Sequence, residues 1–162
     1  MHRIDLTTVV PGGRAAAFDA SLTVDVHAAS MRRSGERAIG GVRSGRLGPG
    51  ETVTWQARHF GIRWRMTSKI SEYERPYRFT DEQISGPLRS WRHVHLFVAS
   101  DPSATVMRDV IEFSAPAGVL GWLVAATILR PYLRRLVLRR NAYLRRALAI
   151  NLARSRRSDP GR

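Results

Sequence analysis

The 162 residues contain no cysteine and are 43% hydrophobic, which allows one ordinary domain with a core of its own and excludes disulfides, thiolate metal sites and a cysteine nucleophile. Lys and Arg outnumber Asp and Glu by 27 to 13, for a formal charge of +14. The excess is concentrated late, since residues 130–162 hold eleven Arg against one Asp. A basic helix suits nucleic acid or an anionic membrane surface. No nucleic-acid reader motif accompanies it and the aromatics fall on strands, so nucleic acid is not expected. Peripheral membrane contact through the Arg-rich C-terminal helix is the related partner. Lys69 is the only lysine, so the basic excess also fits an arginine-rich compositional bias with no partner. MHRIDLTTVV lacks the apolar run and cleavage site of a secretory leader, and a cytoplasmic protein is expected. The longest uncharged run, Phe113 to Leu129, contains Pro116, Gly118 and Gly121 and falls short of the roughly 20 apolar residues of a membrane span.

Taken in order, Arg3 to Val10 alternates as a strand and Pro11-Gly12-Gly13 ends it. Arg14 to Ser30 predicts two short helices, with Phe18, Leu22, Val26 and Ala29 at helical spacing. Strands follow at Glu36–Val42, Thr52–Phe60 and Ile62–Tyr73, with turns at Gly48-Pro49-Gly50 and Glu74-Arg75-Pro76. Phe79 to Phe97 predicts a hairpin broken at Ser85-Gly86-Pro87. After a turn at Asp101-Pro102-Ser103, the last strand runs from Ala104 to Ser114, and a long helix closes the chain. Pro131 removes one backbone hydrogen bond and is expected to kink that helix. This order is α+β: an antiparallel sheet with helix packed on one face. Residues 1–153 read as one domain and 154–162 as a basic, disordered tail.

The hairpin carries the chemistry. Side chains alternate faces along a strand, so Phe79, Asp81 and Gln83 share one face. Trp91, His93, His95 and Phe97 share another, and Met107 and Asp109 share a third. Large aromatics mixed with a few polar groups are how a small-molecule pocket is lined. On the C-terminal helix, Leu133, Leu136, Val137, Tyr143, Leu144, Ala147 and Leu148 gather on one arc, with Arg134, Arg135, Arg139, Arg145 and Arg146 opposite. Arg140 falls on the apolar arc. It either extends its stem to an edge or enters the interior to meet Asp81, Asp109 or a ligand anion.

The stretches RLGPGETVTWQARHFGIRW, RFTDEQISGP, WRHVHLF and TVMRDVIEFSAPAG resemble the bacterial SRPBCC superfamily, which includes START and Bet v 1-like proteins and polyketide cyclases. The resemblance implies a helix-grip fold, a curved antiparallel sheet wrapped around a long C-terminal helix, with two short helices after the first strand. It also implies an internal cavity that binds a hydrophobic small molecule, lipid-like or aromatic and polyketide-like. Trp64, Phe79, Asp81, Gln83, Trp91, His93, His95, Phe97, Met107, Asp109 and Arg140 are the expected ligand contacts. If the protein is an enzyme of the cyclase or dehydrase kind, His93, His95 and Asp81 are the acid–base candidates. The competing reading of these groups is a hydrogen-bonded network that ties strands together. The H-x-H pair can chelate a metal if His59 or Asp109 faces it, but no metal or other cofactor is expected. No nucleotide-binding loop or serine-nucleophile motif is present.

Overall fold

The computed structural model describes residues 1–101 and 103–158. Its elements are β1 His2–Pro11, α1 Arg14–Leu22, α2 Val24–Ser30, β2 Arg37–Gly41, β3 Thr52–His59, β4 Ile62–Glu74, β5 Arg78–Ser85, β6 Ser90–Asp101, β7 Ala104–Ser114, α3 Gly118–Val124, a π-helical turn Ala125–Leu129 and α4 Arg130–Ser158. Period-two patterning makes the strands. In β1, Ile4, Leu6 and Val10 are buried while Arg3, Asp5 and Thr7 face solvent. The seven strands form one antiparallel sheet in the order β1-β7-β6-β5-β4-β3-β2. Because β1 and β2 lie at opposite edges, α1 and α2 span the sheet between them. Helix α4 packs against β1, α1 and α2.

Two apolar clusters make up the core. The first is centred on Phe18, whose ring meets Tyr73, Phe79 and Phe97 edge-on, each at 5.4 Å. The second gathers Ile4, Leu6, Ile111, Phe113 and Val137. Four elements cross from one cluster to the other, and each is polar where it crosses. On β1, Thr8 lies between Leu6 and Val10. On β6, His93 and His95 lie between Trp91 and Phe97. On β7, Asp109 lies between Met107 and Ile111. On α4, Arg140 and Asn141 lie between Val137 and Leu144.

Pro131, expected to kink the helix, directly follows the π-helical turn Ala125–Leu129, and the backbone runs on as helix from α3 through α4. Gly121 has a steric reason: a Cβ there would collide with the Pro116 carbonyl oxygen. Tyr143, placed by periodicity on the apolar arc, is 38% exposed. Arg154 to Ser158, expected in a disordered tail, continue α4. Pro102 of the expected turn and the tail residues 159–162 lie outside the described residues. No helix among the described residues is long and apolar enough to cross a membrane.

Phe18→Ala removes a fully buried ring from three aromatic contacts, and urea denaturation is expected to show a loss of about 3–5 kcal/mol. Ile84→Ala, at a side chain 59% exposed, is expected to change stability by about 0.5 kcal/mol or less.

Candidate functional site

The sheet, α1–α2 and α3–α4 enclose a cavity of about 710 Å³, inside the range of roughly 300–1,000 Å³ typical of small-molecule sites. Leu22, Val53, Trp55, Ile70, Leu133 and Leu136 are among its apolar walls. Phe60, Leu120, Val124 and Ile128 line it yet are largely exposed, which makes them its mouth.

At its inner wall the cavity meets a buried polar cluster. Antiparallel register sets Asp81 opposite His93 and Asp109 opposite His95. The contacts then cross over. His93 Nε2 lies 3.0 Å from Asp109 Oδ1, and His95 Nε2 lies 3.2 Å from Asp81 Oδ2. His93 Nδ1 is 3.6 Å from Asp81 Oδ2, and His95 Nδ1 is 2.8 Å from Asp109 Oδ1, off the axis of a hydrogen bond. The two imidazole rings lie with centroids 3.7 Å apart, tilted by 37°. Trp91 Nε1 donates to Asp81 Oδ1 at 3.2 Å, and Asn141 Nδ2 donates to Asp109 Oδ2 at 2.7 Å and to Thr8 Oγ1 at 3.1 Å. Arg140 is 4% exposed. It donates to the Ser21 carbonyl at 3.2 Å and to Asn141 Oδ1 at 3.3 Å, with Nη1 3.7 Å from Asp109 Oδ1. Its side chain therefore enters the interior instead of extending to an edge.

A second polar group lies elsewhere on the lining. His27 Nε2 meets Glu36 Oε1 at 2.8 Å, and His59 Nδ1 meets the Tyr132 hydroxyl at 2.6 Å. Burial lowers the His59 pKa against the opposing pull of Glu36.

Of the expected ligand contacts, Trp64, Phe79, Asp81, Trp91, His93, His95 and Arg140 line the cavity. Four do not. Gln83 folds back on its own turn, its Nε2 donating to the Leu88 carbonyl at 2.7 Å. Phe97 and Met107 are sealed in the Phe18 cluster. Asp109 has no exposure and lies against the histidines. His59 pairs with Tyr132, and Asp109 Oδ1, 3.0 and 2.8 Å from the histidine pair, is fully buried and off the cavity lining. Asp81 completes a set with the two histidines, and its oxygen and one nitrogen from each histidine all lie within 4.8 Å of one another. Sequence reasoning missed Asn141, Thr8, His27, Glu36 and Tyr132. Asn141 did have a signal: it occupies the buried seam at the spacing Val137, Asn141, Leu144, Leu148.

No family model matches the chain, and no curated protein matches it in sequence. Solved structures do match. A protein from Thermus thermophilus superposes with a TM-score of 0.70 at 10% identity, over 90% of this chain and 99% of that one. A START superfamily protein from Mycobacterium smegmatis gives 0.64 at 11% identity, over 95% and 99%. An aromatase/cyclase from Streptomyces sp. R1128 gives 0.64 at 13% identity, over 90% and 95%. The chain has the helix-grip fold of these structures. In helix-grip terms, α4 is the gripped helix, and Arg140 and Asn141 are its contribution to the inner wall.

The electrostatics of this helix-grip interior follow from burial and pairing. Burial pushes the Asp81 carboxyl up, but the hydrogen bond from His95 and the two imidazoles outweigh it and hold the pKa at about 2. Asp109 is likewise raised by burial and held well below the usual carboxylate range by the hydrogen bond from His93 and the close His95 imidazole. Burial, then the neighbouring His95, drive His93 down to about 4 in spite of both carboxylates. At neutral pH His93 is thus uncharged, and Asp81 and Asp109 are both ionised.

Two outcomes are expected. Arg140→Leu leaves Asp109 without its guanidinium and the Ser21 carbonyl without its donor, at a cost of about 3–5 kcal/mol in chemical denaturation. Arg134, Arg135 and Arg139, all exposed, should each cost about 0.5 kcal/mol or less. Adding Asp109→Asn to Arg140→Leu should recover part of the loss, and adding Asp81→Asn should not. The second outcome concerns pH in metal-free buffer. His93 titrates near 4 when folded against an ordinary 6.5, so unfolding takes up about one proton between those values and stability falls as pH drops through them. Asp81, held at about 2 against 3.8, extends the fall at lower pH. His93→Gln should flatten the limb between pH 6.5 and 4 in a series of urea midpoints.

Proposed function

We propose that the chain binds a lipid-like or aromatic, polyketide-like small molecule. Its apolar body would lie along the cavity walls, and its oxygen-bearing end would sit against Asp81, His93, His95 and Arg140. The observation that carries this reading is the cavity itself: large, apolar for most of its lining, and ending on a buried cluster of polar groups. Apolar walls supply affinity, while a few fixed polar groups set orientation. The fold shared with an aromatase/cyclase and a START superfamily protein supports a ligand of this class and does not single one out. The exposed apolar mouth gives such a molecule a route in that avoids polar surface.

The test is mass spectrometry of organic extracts and of the intact protein, together with titration by an apolar fluorophore. The expected result is retention of an apolar molecule by the native chain and its loss in Leu136→Trp, which fills the cavity from α4. Equal retention by the filled variant, or no binding by the native chain, overturns the reading.

The second reading is a cyclase or dehydrase acting on such a molecule, and the four imidazole–carboxylate contacts favour it. It expects His93→Ala to lower turnover by about 10²–10⁴-fold with ligand affinity largely kept, the scale of a lost general base. Loss of binding and turnover in parallel would leave His93 as a contact or structural residue.

A further inference from the structure

We infer that Asp81, His93 and His95 form a binding site for one divalent transition-metal ion of the zinc or ferrous type, with an open position facing the cavity. The inference deepens the small-molecule reading, since the metal would hold the oxygen-bearing end of the ligand. It is measured on the protein alone and can fail or succeed independently of that reading.

Proton counting comes first. All four imidazole nitrogens lie within 3.6 Å of a carboxylate oxygen. Two neutral imidazoles carry only two N–H groups. With His93 Nε2 donating to Asp109, and a small rotation of the His95 ring that brings its Nδ1–H onto Asp109 in exchange for the Nε2 bond to Asp81, His93 Nδ1 and His95 Nε2 both present lone pairs toward Asp81 Oδ2. Three electron-pair donors then face one another with nothing positive among them. A cation at that point resolves the arrangement.

Geometry comes second. Ligand atoms about 2.0–2.2 Å from a metal stand roughly 3–3.5 Å apart in tetrahedral or octahedral arrangements. Asp81 Oδ2 lies 3.2 Å from His95 Nε2 and 3.6 Å from His93 Nδ1. Small rotations of these two close, tilted rings bring the third pair into range.

The supporting groups come third. Metal-bound imidazoles characteristically donate their far N–H to a carboxylate, and metal-bound carboxylates are themselves hydrogen-bonded. Here Asp109 stands at the far nitrogen of both rings, and Asn141 holds its other oxygen. Trp91 occupies Asp81 Oδ1 and leaves Oδ2 to the ion. Two imidazoles and one carboxylate without thiolate suit zinc or ferrous iron better than magnesium, calcium or cuprous ion. Three protein ligands leave room for a cavity molecule or water, which such an ion would polarise.

The test is zinc titration by calorimetry, with cobalt absorption as a second probe, on the full chain after chelator dialysis. The expected result is about one equivalent bound, a cobalt spectrum of low coordination number, and a rise in unfolding temperature with zinc. Asp81→Asn and His95→Gln should each weaken uptake by more than about 100-fold, and Asp109→Asn by about 10–100-fold. His27→Gln and His59→Gln should leave it unchanged. Circular dichroism checks folding, and if His95→Gln fails to fold, Asp81→Asn decides. The absence of uptake at about 100 µM zinc, well above the free concentrations a specific site needs, overturns the inference and leaves a proton bridging His95 and Asp81. Uptake that survives Asp81→Asn also overturns it and places the metal elsewhere.

Discussion

Asp109 is the charge on which the interior depends. It has no exposure and lies on the central part of β7, where solvent cannot compensate it. A buried carboxylate is tolerated only when its lone pairs are met. Two imidazoles from β6, an amide from α4 and, slightly farther off, a guanidinium from α4 meet them. Those four groups come from two elements other than β7 itself. The need to satisfy one oxygen pair therefore fixes how α4 lies on the sheet, in rotation and along its axis. A slide of one turn along α4 would present Val137 or Leu144 to Asp109 and strand it.

This layer also explains the shape of the cavity. Two apolar clusters, one around Phe18 and one around Phe113, would close on each other if the chain between them were apolar. His93, His95, Asp109, Arg140 and Asn141 interrupt that contact. Most of their polar atoms find partners in a narrow band, and the space in front of the band remains as cavity. The cavity is thus held between a rigid polar band at its inner wall and a second polar group, His27–Glu36 and His59–Tyr132, set among apolar walls, and a few fixed groups of this kind orient a guest.

Much of this was legible because strand periodicity is rigid. Trp91, His93, His95 and Phe97 had to share a face, and a one-residue slip would have reversed all four. The α+β order and the position of the long helix followed from the same patterning. What was not legible is how neighbouring strands pair. Nothing local says that Asp81 faces His93 or that Asp109 faces His95, so whether each residue touched the cavity or supported it stayed open. Gln83 shows the limit from the other side. It shares its alternation with Asp81, but near the end of β5 its amide is captured by Leu88, two residues short of β6. Arg140 was visible because arginine on an apolar arc is anomalous. Asn141 lies on the same seam by spacing, but its role stayed hidden until its partners Thr8 and Asp109 on other strands were known. His59 and Tyr132 met through tertiary contact alone.

The pairing of β1 with β7 has a consequence for how the protein is made. His2 pairs with Phe113, and Pro11 with Ala104. During synthesis the first strand therefore emerges with its apolar side chains Ile4, Leu6 and Val10 ready and waits about a hundred residues for its neighbour. Helices α1 and α2 and the meander from β2 to β6 can form early, because each element contacts one close in sequence. The carboxylate of Asp109 enters the sheet with the seventh strand, and its helical partners follow only once residues 140 and 141 have been added. The polar centre of the molecule is thus assembled last, by a chain that must hold its N-terminal strand in reserve until then. Ribosome-bound intermediates shorter than this carry an unpaired edge and an unfinished interior, the state in which nascent chains are most exposed to aggregation.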